Sequence, residues 1–381
     1  MKICAIICEY NPFHNGHLHQ IRVARSLFKD HALLCIMSGN FVQRGEAASM
    51  DKFTRAKHAV QNGADAVIEL PTIFATANAE LFAKGAIHIL SAISEIDTLC
   101  FGAETADKNL FLKAAKLLNN EPLDVSLHLK ELTSQGLSYA KAYQEAWSSY
   151  ISPDFLRSPN NILGLEYTKA ILAYNATMDI APIERIGGAY NDDTLRETLS
   201  SASAIRNAIR NGESIDGQTP DCVKNNLPKQ LENILDTLEK YAILTKPAEH
   251  IAKICDCTEG LENAFKKAAL EEKSLCETLT SARYTASRIR RIALQNLLGI
   301  GETLIRACLN EPLYLRLLCA KKENKELLAI FGNAQAPLIS RAHDKDKLVG
   351  VAKECFERDL FAEQIYSLLY PQANSKTVFI P

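Results

Sequence analysis

Residues 3–8, 32–37, 66–70 and 98–101 are short apolar runs, and the stretches between them have helical length and periodicity. A run that is apolar at nearly every position suits a strand buried on both faces, the usual condition of a parallel sheet. After the first run, Leu18, Ile21, Arg25 and Phe28 fall at helical spacing, with Ala24 beside them. Asp51 is placed to cap a helix through about Asn62, with Phe53, Ala56 and Val60 on one face. Residues 78–93 carry Phe82, Ala86 and Leu90 as a third stripe. Strands alternating with such helices predict an α/β fold with a doubly wound parallel sheet.

Residues 182–186 predict a fifth strand, broken by Gly187-Gly188, and Ser201-Ala202-Ser203 opens a helix ending near Gly212. Residues 106–150 read as a helical insertion or layer. Gln218-Thr219-Pro220 marks a boundary, which divides the 381 residues into 1–219, an α/β catalytic domain, and 220–381, an α-helical domain. Helices are expected to dominate, at about 230–244, 261–280, 286–298, 301–309 and 346–369, with no strand of comparable quality beyond Pro228. The formal charge of −2 sets up no global field for nucleic acid or an anionic membrane. The 11 cysteines lack zinc-type spacing, with a single residue between Cys255 and Cys257, so no metal site is expected. Cys4, Cys8 and Cys35 sit in apolar runs as buried reduced thiols, which suits a reducing compartment. No stretch has membrane-spanning length and none reads as a signal peptide, so the expectation is a cytoplasmic protein with no membrane partner.

The first strand runs into Glu9-Tyr10-Asn11-Pro12-Phe13-His14-Asn15-Gly16-His17 and the next helix starts there. In open parallel sheets ligands bind at the carboxyl ends of the strands, and a helix N-terminus in that place suits phosphate. Gly16 lets the backbone approach closely, and His14 and His17, three apart, can converge on one group to stabilise charge developing on a phosphate. Far downstream, Ser201, Ser203 and Arg206 offer hydroxyls and a cation to outer phosphates. Lys52 and Arg55 have two readings, a solvated helix face or a clamp on phosphates or on an RNA. Between Ser281 and Lys347, 12 lysines and arginines stand against 6 acids, a basic region in a slightly acidic chain. Within it Arg283, Arg288, Arg290 and Arg291 cluster near Tyr284, a combination suited to phosphates and to stacking on a base.

The His14–His17 turn and residues 201–206 resemble the two signature motifs of the HIGH-type nucleotidylyltransferase superfamily. The resemblance is closer to one family. Residues 9–17, Met37-Ser38-Gly39-Asn40-Phe41-Val42-Gln43-Arg44-Gly45-Glu46, Val67-Ile68-Glu69-Leu70-Pro71, Phe101-Gly102 and Ser158-Pro159-Asn160-Asn161-Ile162-Leu163-Gly164 are similar, in order, to the bacterial tRNA(Met) cytidine acetate ligases. The resemblance implies activation of acetate by ATP, with Mg2+, to acetyl-adenylate, then transfer of the acetyl group to the wobble cytidine of elongator tRNA(Met) to give N4-acetylcytidine. It assigns to ATP the residues Ile7, Cys8, Glu9, Tyr10, Asn11, Pro12, Phe13, His14, Asn15, Gly16, His17, Leu18, His19 and Gln20, together with Gly102, Asn161, Arg185 and Ile186. His14 and His17 are the expected catalytic pair, and the RNA-facing candidates are Lys52, Arg55, Arg283, Arg288, Arg290 and Arg291. Read from the residues alone, Asn161 also suits a helix cap and Arg185 a solvated strand end. One departure from the pattern is Ala204, where a hydroxyl residue is expected. Two other functions share the motifs: a small-molecule adenylyltransferase, which has no use for so long a basic C-terminal half, and a non-catalytic RNA-binding protein, which has no use for both histidines.

Overall fold

The computed structural model describes residues 1–137, 139–186, 199–224, 232–371 and 376–380. Along the chain, β1 (Lys2–Cys8) and β2 (His31–Ser38) precede a small hairpin, β3 (Phe41–Val42) and β4 (Glu46–Ala47). Then come β5 (Ala66–Leu70), β6 (Ile96–Ala103) and β7 (Asp179–Glu184), and later β8 (Leu315–Lys321), β9 (Leu338–Ile339) and β10 (Val378–Ile380). The main sheet has the order β10-β8-β5-β2-β1-β6-β7, with β9 on β8. All its pairings are parallel except β5 with β8.

Alternate residues of β1 enter different cores, which explains the continuous apolar run. Ile3, Ala5 and Ile7 pack with Phe82, Ala86 and Leu90 on one face. Cys4 and Ile6 pack with Ile21, Ala24, Phe53 and Ala56 on the other. Helices therefore cover both faces, as expected of a doubly wound sheet. The cap expected at Asp51 is present, its Oδ1 accepting from the Thr54 N–H at 2.9 Å. β1 pairs with β2 on one side and β6 on the other, so the strand order reverses beside β1 and leaves a crevice at the carboxyl ends.

The segment around 106–150 is helical as expected, with Lys108–Asn119, Leu123–Ser134 and Tyr139–Trp147. Gly187-Gly188 lie outside the described residues, as does Pro228. The C-terminal half is rich in helices and has its own core around Ile243, Phe265, Ile289 and Ile292. The expectation of no strand of comparable quality beyond Pro228 is corrected by β8, which lies between β5 and β10 in the same sheet as the N-terminal strands. Its sequence, Leu-Arg-Leu-Leu-Cys-Ala-Lys, has no β-branched residue, and an apolar run this short does not distinguish a strand from a buried helix. The single helix expected over 261–280 is two, Leu261–Ala268 and Leu275–Leu279. All 11 cysteines are free thiols. Among the described residues no single helix is long and apolar enough to cross a membrane.

Candidate active site

A cleft opens where β1 and β6 end. Ile7, Cys8, Glu9, Tyr10 and Asn11 reach it from β1 and Phe101 and Gly102 from β6, while Asn160 and Tyr167 come from the helix Pro159–Ala173. Ser201, Ser203 and Arg206 close the opposite wall. The topology thus brings the two motifs, almost two hundred residues apart, onto one volume.

His14 is the N-cap of the helix Asn15–Leu27. Its Nδ1 accepts from the Gly16 N–H at 3.1 Å, and Nδ1 of His17 accepts from the His14 N–H at 3.3 Å. A Cβ on Gly16 would stand 2.9 Å from the His14 ring, so the cap requires glycine there. The rings stack at 3.6 Å between centroids and 23° between planes. Tyr10 and Phe13 hold the His17 ring from the side, at 4.8 and 5.7 Å. Burial, then the Arg185 and Arg206 guanidiniums, lower the His14 pKa to about 3. Burial, then His14 and Arg185, lower His17 well below the usual histidine range. Both imidazoles are therefore neutral near pH 7. With Nδ1 engaged as an acceptor, each carries its proton on Nε2, which leaves two N–H donors for a ligand.

Two cations accompany them. Arg206 is buried, its Nη1 donating to the Asn11 carbonyl at 2.8 Å and its Nη2 to Ser203 Oγ at 3.3 Å. Its Nε finds no partner among the described residues. Arg185 continues the β6–β7 ladder through its N–H to the Ala103 carbonyl, and its Nη1 reaches Asn160 Oδ1 at 3.1 Å. Ser201 caps the helix Ala202–Asn211, its Oγ accepting from the Ala204 N–H at 3.0 Å. Ala204 is buried and is not among the residues lining the cleft, so the missing hydroxyl removes no contact there.

Ile186, His19 and Gln20 stand at an adjoining space behind His14 and His17, and Gln20 also lines the main cleft. Pro12, Phe13, Asn15 and Leu18 support the turn rather than line the cleft: Phe13 is wholly buried, Leu18 packs against the core, and Asn15 Nδ2 donates to the Gly217 carbonyl at 2.6 Å. Asn161 is neither a cleft residue nor the helix cap. Its Oδ1 accepts from the Glu104 and Thr105 N–H groups at 3.0 and 3.1 Å, and the cap position is Ser158. Asn160, one residue earlier, lines the cleft instead. Sequence reasoning also missed Phe82 and Tyr167, apolar-wall members that read as ordinary core, and Val42, Gln43, Arg44 and Phe101, which lie inside the matched blocks but were assigned no role.

Both readings of Lys52 and Arg55 are corrected. Each is buried, Lys52 at 1% and Arg55 at 0% exposure, so neither reaches solvent or an RNA. Lys52 Nζ is 2.6 Å from Glu69 Oε1 and from Glu363 Oε1, and Arg316 on β8 pairs with the same two carboxylates. Arg55 donates to the carbonyls of Glu9, Ser38, Gly39 and Met50. The arginine cluster at the helix Ala286–Leu298 divides. Arg283 is well exposed and pairs with Glu259 at 2.7 Å. Arg288 is committed to the Asp256 carbonyl and Thr258, and Arg291 is mostly buried beside Asp256. Arg290 Nη1 lies 2.6 Å from Glu46 Oε1, and the other oxygen of Glu46 is 3.9 Å from Arg206. Gly45 makes this junction possible: its φ is +73°, and a Cβ there would stand 2.5 Å from the Arg291 backbone N.

The family model of the HIGH nucleotidyl transferases matches residues 1–378. The tRNA(Met) cytidine acetate ligase of Thermoanaerobacter sp. (strain X514) is 36% identical over 391 aligned positions, covering 98% of this chain and 97% of that protein. The enzyme of the same name from Clostridium perfringens (strain SM101) is 34% identical, covering 100% and 98%. Among solved structures, apo TmcAL of Thermotoga maritima superposes with a TM-score of 0.92 at 30% identity, and TmcAL bound with alpha-thio ATP with 0.88 at 31%, each covering all of both chains. The chain belongs to the tRNA(Met) cytidine acetate ligase family of HIGH nucleotidyl transferases.

Proposed function

We propose that the protein activates acetate with ATP and acetylates the wobble cytidine of elongator tRNA(Met). A carboxylate oxygen of acetate attacks the α-phosphorus, the bond to the bridging oxygen breaks, and pyrophosphate leaves. The exocyclic N4 amine of cytidine then attacks the acetyl carbonyl, loses a proton, and releases AMP. The observation that carries the first step is the pair of stacked, buried imidazoles with their Nδ1 atoms engaged. Fixed N–H donors and the Arg185 and Arg206 cations meet the charge that moves onto the phosphates, while the rigid turn holds the reacting groups in line.

The fourteen residues 7–20 form the strand end, turn and helix start on which ATP would sit, with Gly102, Arg185, Ile186, Ser201, Ser203 and Arg206 around it. Mg2+ would arrive on the phosphates, which supply most of its ligands, and Glu9 is the carboxylate in the cleft wall. The reaction belongs in the cytoplasm, where ATP, acetate and tRNA meet. The test supplies unmodified tRNA(Met) with either ATP and acetate or acetyl-CoA alone and measures N4-acetylcytidine by mass spectrometry. Product is expected only with ATP and acetate, with AMP in equal amount. Product from acetyl-CoA without ATP sinks the adenylate mechanism.

A further inference from the structure

The strand ends divide the cleft into two unlike sides. On the histidine side, the His17 ring packs on Tyr10 and Phe13, which belong to the core beneath the helix Asn15–Leu27. On the other side, Ile7, Phe82, Phe101 and Tyr167 belong to the opposite core, and Leu163 packs against it. Ile7 and Cys8, successive residues of β1, point one to each side. The second side is an apolar floor, and it is closed from behind. The Phe101 ring meets Phe111 at 5.1 Å and Tyr167 at 5.9 Å, both edge to face. A Cβ on Gly164 would stand 2.4 Å from Phe101 Cε2, so the helix Pro159–Ala173 presses directly on that ring. Phe82 and Phe101 are 3% exposed and Tyr167 5%, so each gives the cleft only an edge.

We infer that this floor is the acyl pocket of the adenylation step, and that Phe82 and Leu163 set the length of the acid accepted. The inference rests on the acetate reading above and deepens it. The adjoining space, with Gly102, Ile183, Ile186 and Leu199, suits the adenosine, and Ser201, Ser203 and Arg206 suit the outer phosphates. The α-phosphate then lies at the histidines, with the floor on its remaining side. In-line attack needs the nucleophile opposite the leaving pyrophosphate. One oxygen of the acid bonds to the α-phosphorus as the bond to the bridging oxygen breaks, and the alkyl group points to the floor. Arg185, tied to Asn160 at 3.1 Å, lines both spaces and supplies a cation for the carboxylate where they meet. A methyl group gains contact with the aromatic edges. Each further methylene must displace side chains that are packed from behind, as Phe101 is by Gly164 and Phe111. Phe82, on the helix Ala79–Leu90, and Leu163, on the helix Pro159–Ala173, complete the floor from two different helices, so each can be shortened without disturbing the wedge at Phe101.

The test measures ATP–pyrophosphate exchange with acetate, propionate and butyrate, without RNA, for full-length wild type, Phe82→Ala and Leu163→Ala. Wild type is expected to favour acetate over butyrate by about a hundredfold in kcat/KM, since a methylene that does not fit costs about tenfold or more. Each truncation is expected to raise the butyrate-to-acetate ratio by about tenfold or more. The ratio does not depend on how much of the protein is folded, so loss of a buried aromatic in Phe82→Ala cannot imitate the result. Leu163 is half-buried and gives the milder variant. A raised ratio in either variant supports the pocket. A ratio unchanged in both, or a wild type that uses butyrate as well as acetate, overturns it. Variants with wild-type exchange and ratio that transfer the acetyl group poorly to tRNA(Met) also overturn it and give the floor to the cytosine. Wild-type protein without acetate-dependent exchange overturns the acetate reading itself, a result seen before any variant is compared.

Discussion

His14 and His17 are joined twice, by ring stacking at 3.6 Å and by the acceptance of the His14 N–H at Nδ1 of His17. The second contact fixes the tautomer that leaves the Nε2–H of His17 as a donor for a ligand. Replacing either histidine with alanine is therefore expected to lower acetate-dependent ATP–pyrophosphate exchange at least a hundredfold, about 3 kcal/mol of transition-state stabilisation. His14→Ala also loses a helix cap, at a cost of about 1 kcal/mol in stability, which leaves the protein folded. Near-normal exchange in His17→Ala would exclude the proposed role.

The depressed histidine pKa values set a pH dependence. His14 titrates near 3 in the folded chain, against 6.5 for an ordinary histidine. Between those values the unfolded state binds the proton and the folded state does not. Stability therefore rises with pH across this window and is lost as pH falls below 6.5. Tm of the wild type is expected to fall more steeply than that of His14→Ala between about pH 6.5 and pH 5, because the variant lacks one such group. Parallel Tm profiles for the two proteins would contradict a buried neutral His14.

Lys52 is a structural residue, and its removal is expected to act on the fold. Glu69 is 1% exposed and its pKa is raised by burial even with Lys52 beside it. Lys52→Ala leaves the carboxylates of Glu69 and Glu363 short of a cation, and breaking a buried pair in this way costs about 3–5 kcal/mol. Urea denaturation is expected to report that loss, while the folded fraction binds tRNA(Met) as wild type does. A variant of unchanged stability and weakened RNA binding would restore the clamp reading.

What was legible in the sequence follows the physics of each element. The strands β1, β2, β5 and β6 showed themselves because burial on both faces makes the run continuous, and the His14–His17 turn because it sits where such a strand must deliver a ligand loop. β8 stayed hidden because Leu and Arg fill positions that Val or Ile would have marked, and its Arg316 is explained only by partners on β5 and the helix Gly350–Leu369. Lys52 and Arg55 were misread for the same reason. A charged residue is assigned to solvent unless its partner is known, and Glu363 lies more than three hundred residues away. Asn161 is expected in the cleft and Asn160 stands there because neighbouring positions on a helix point in different directions: Asn161 Oδ1 turns to the Glu104 and Thr105 N–H groups, while Asn160 lines the cleft.

The same lesson sharpens the choice of RNA contacts. Reversing Arg288, Arg290 and Arg291 together would confound RNA binding with the fold, since Arg288 and Arg291 tie down the segment at Asp256 and Arg290 meets Glu46. Arg283 is the separable one, 66% exposed and beside the Tyr284 ring at 5.8 Å. Arg283→Ala is expected to leave Tm and acetyl-adenylate formation at wild-type values. If Arg283 meets a phosphate of the tRNA, the variant also lowers the slope of log affinity against log salt by about one. Arg288→Ala is expected to do the reverse, lowering Tm through the lost contacts with the Asp256 carbonyl and Thr258 and leaving the salt slope where it was. Filter binding across a salt series, read beside thermal melts of both variants, checks the pair. An unchanged slope in Arg283→Ala removes this residue from the interface, and a reduced slope in Arg288→Ala returns that arginine to it.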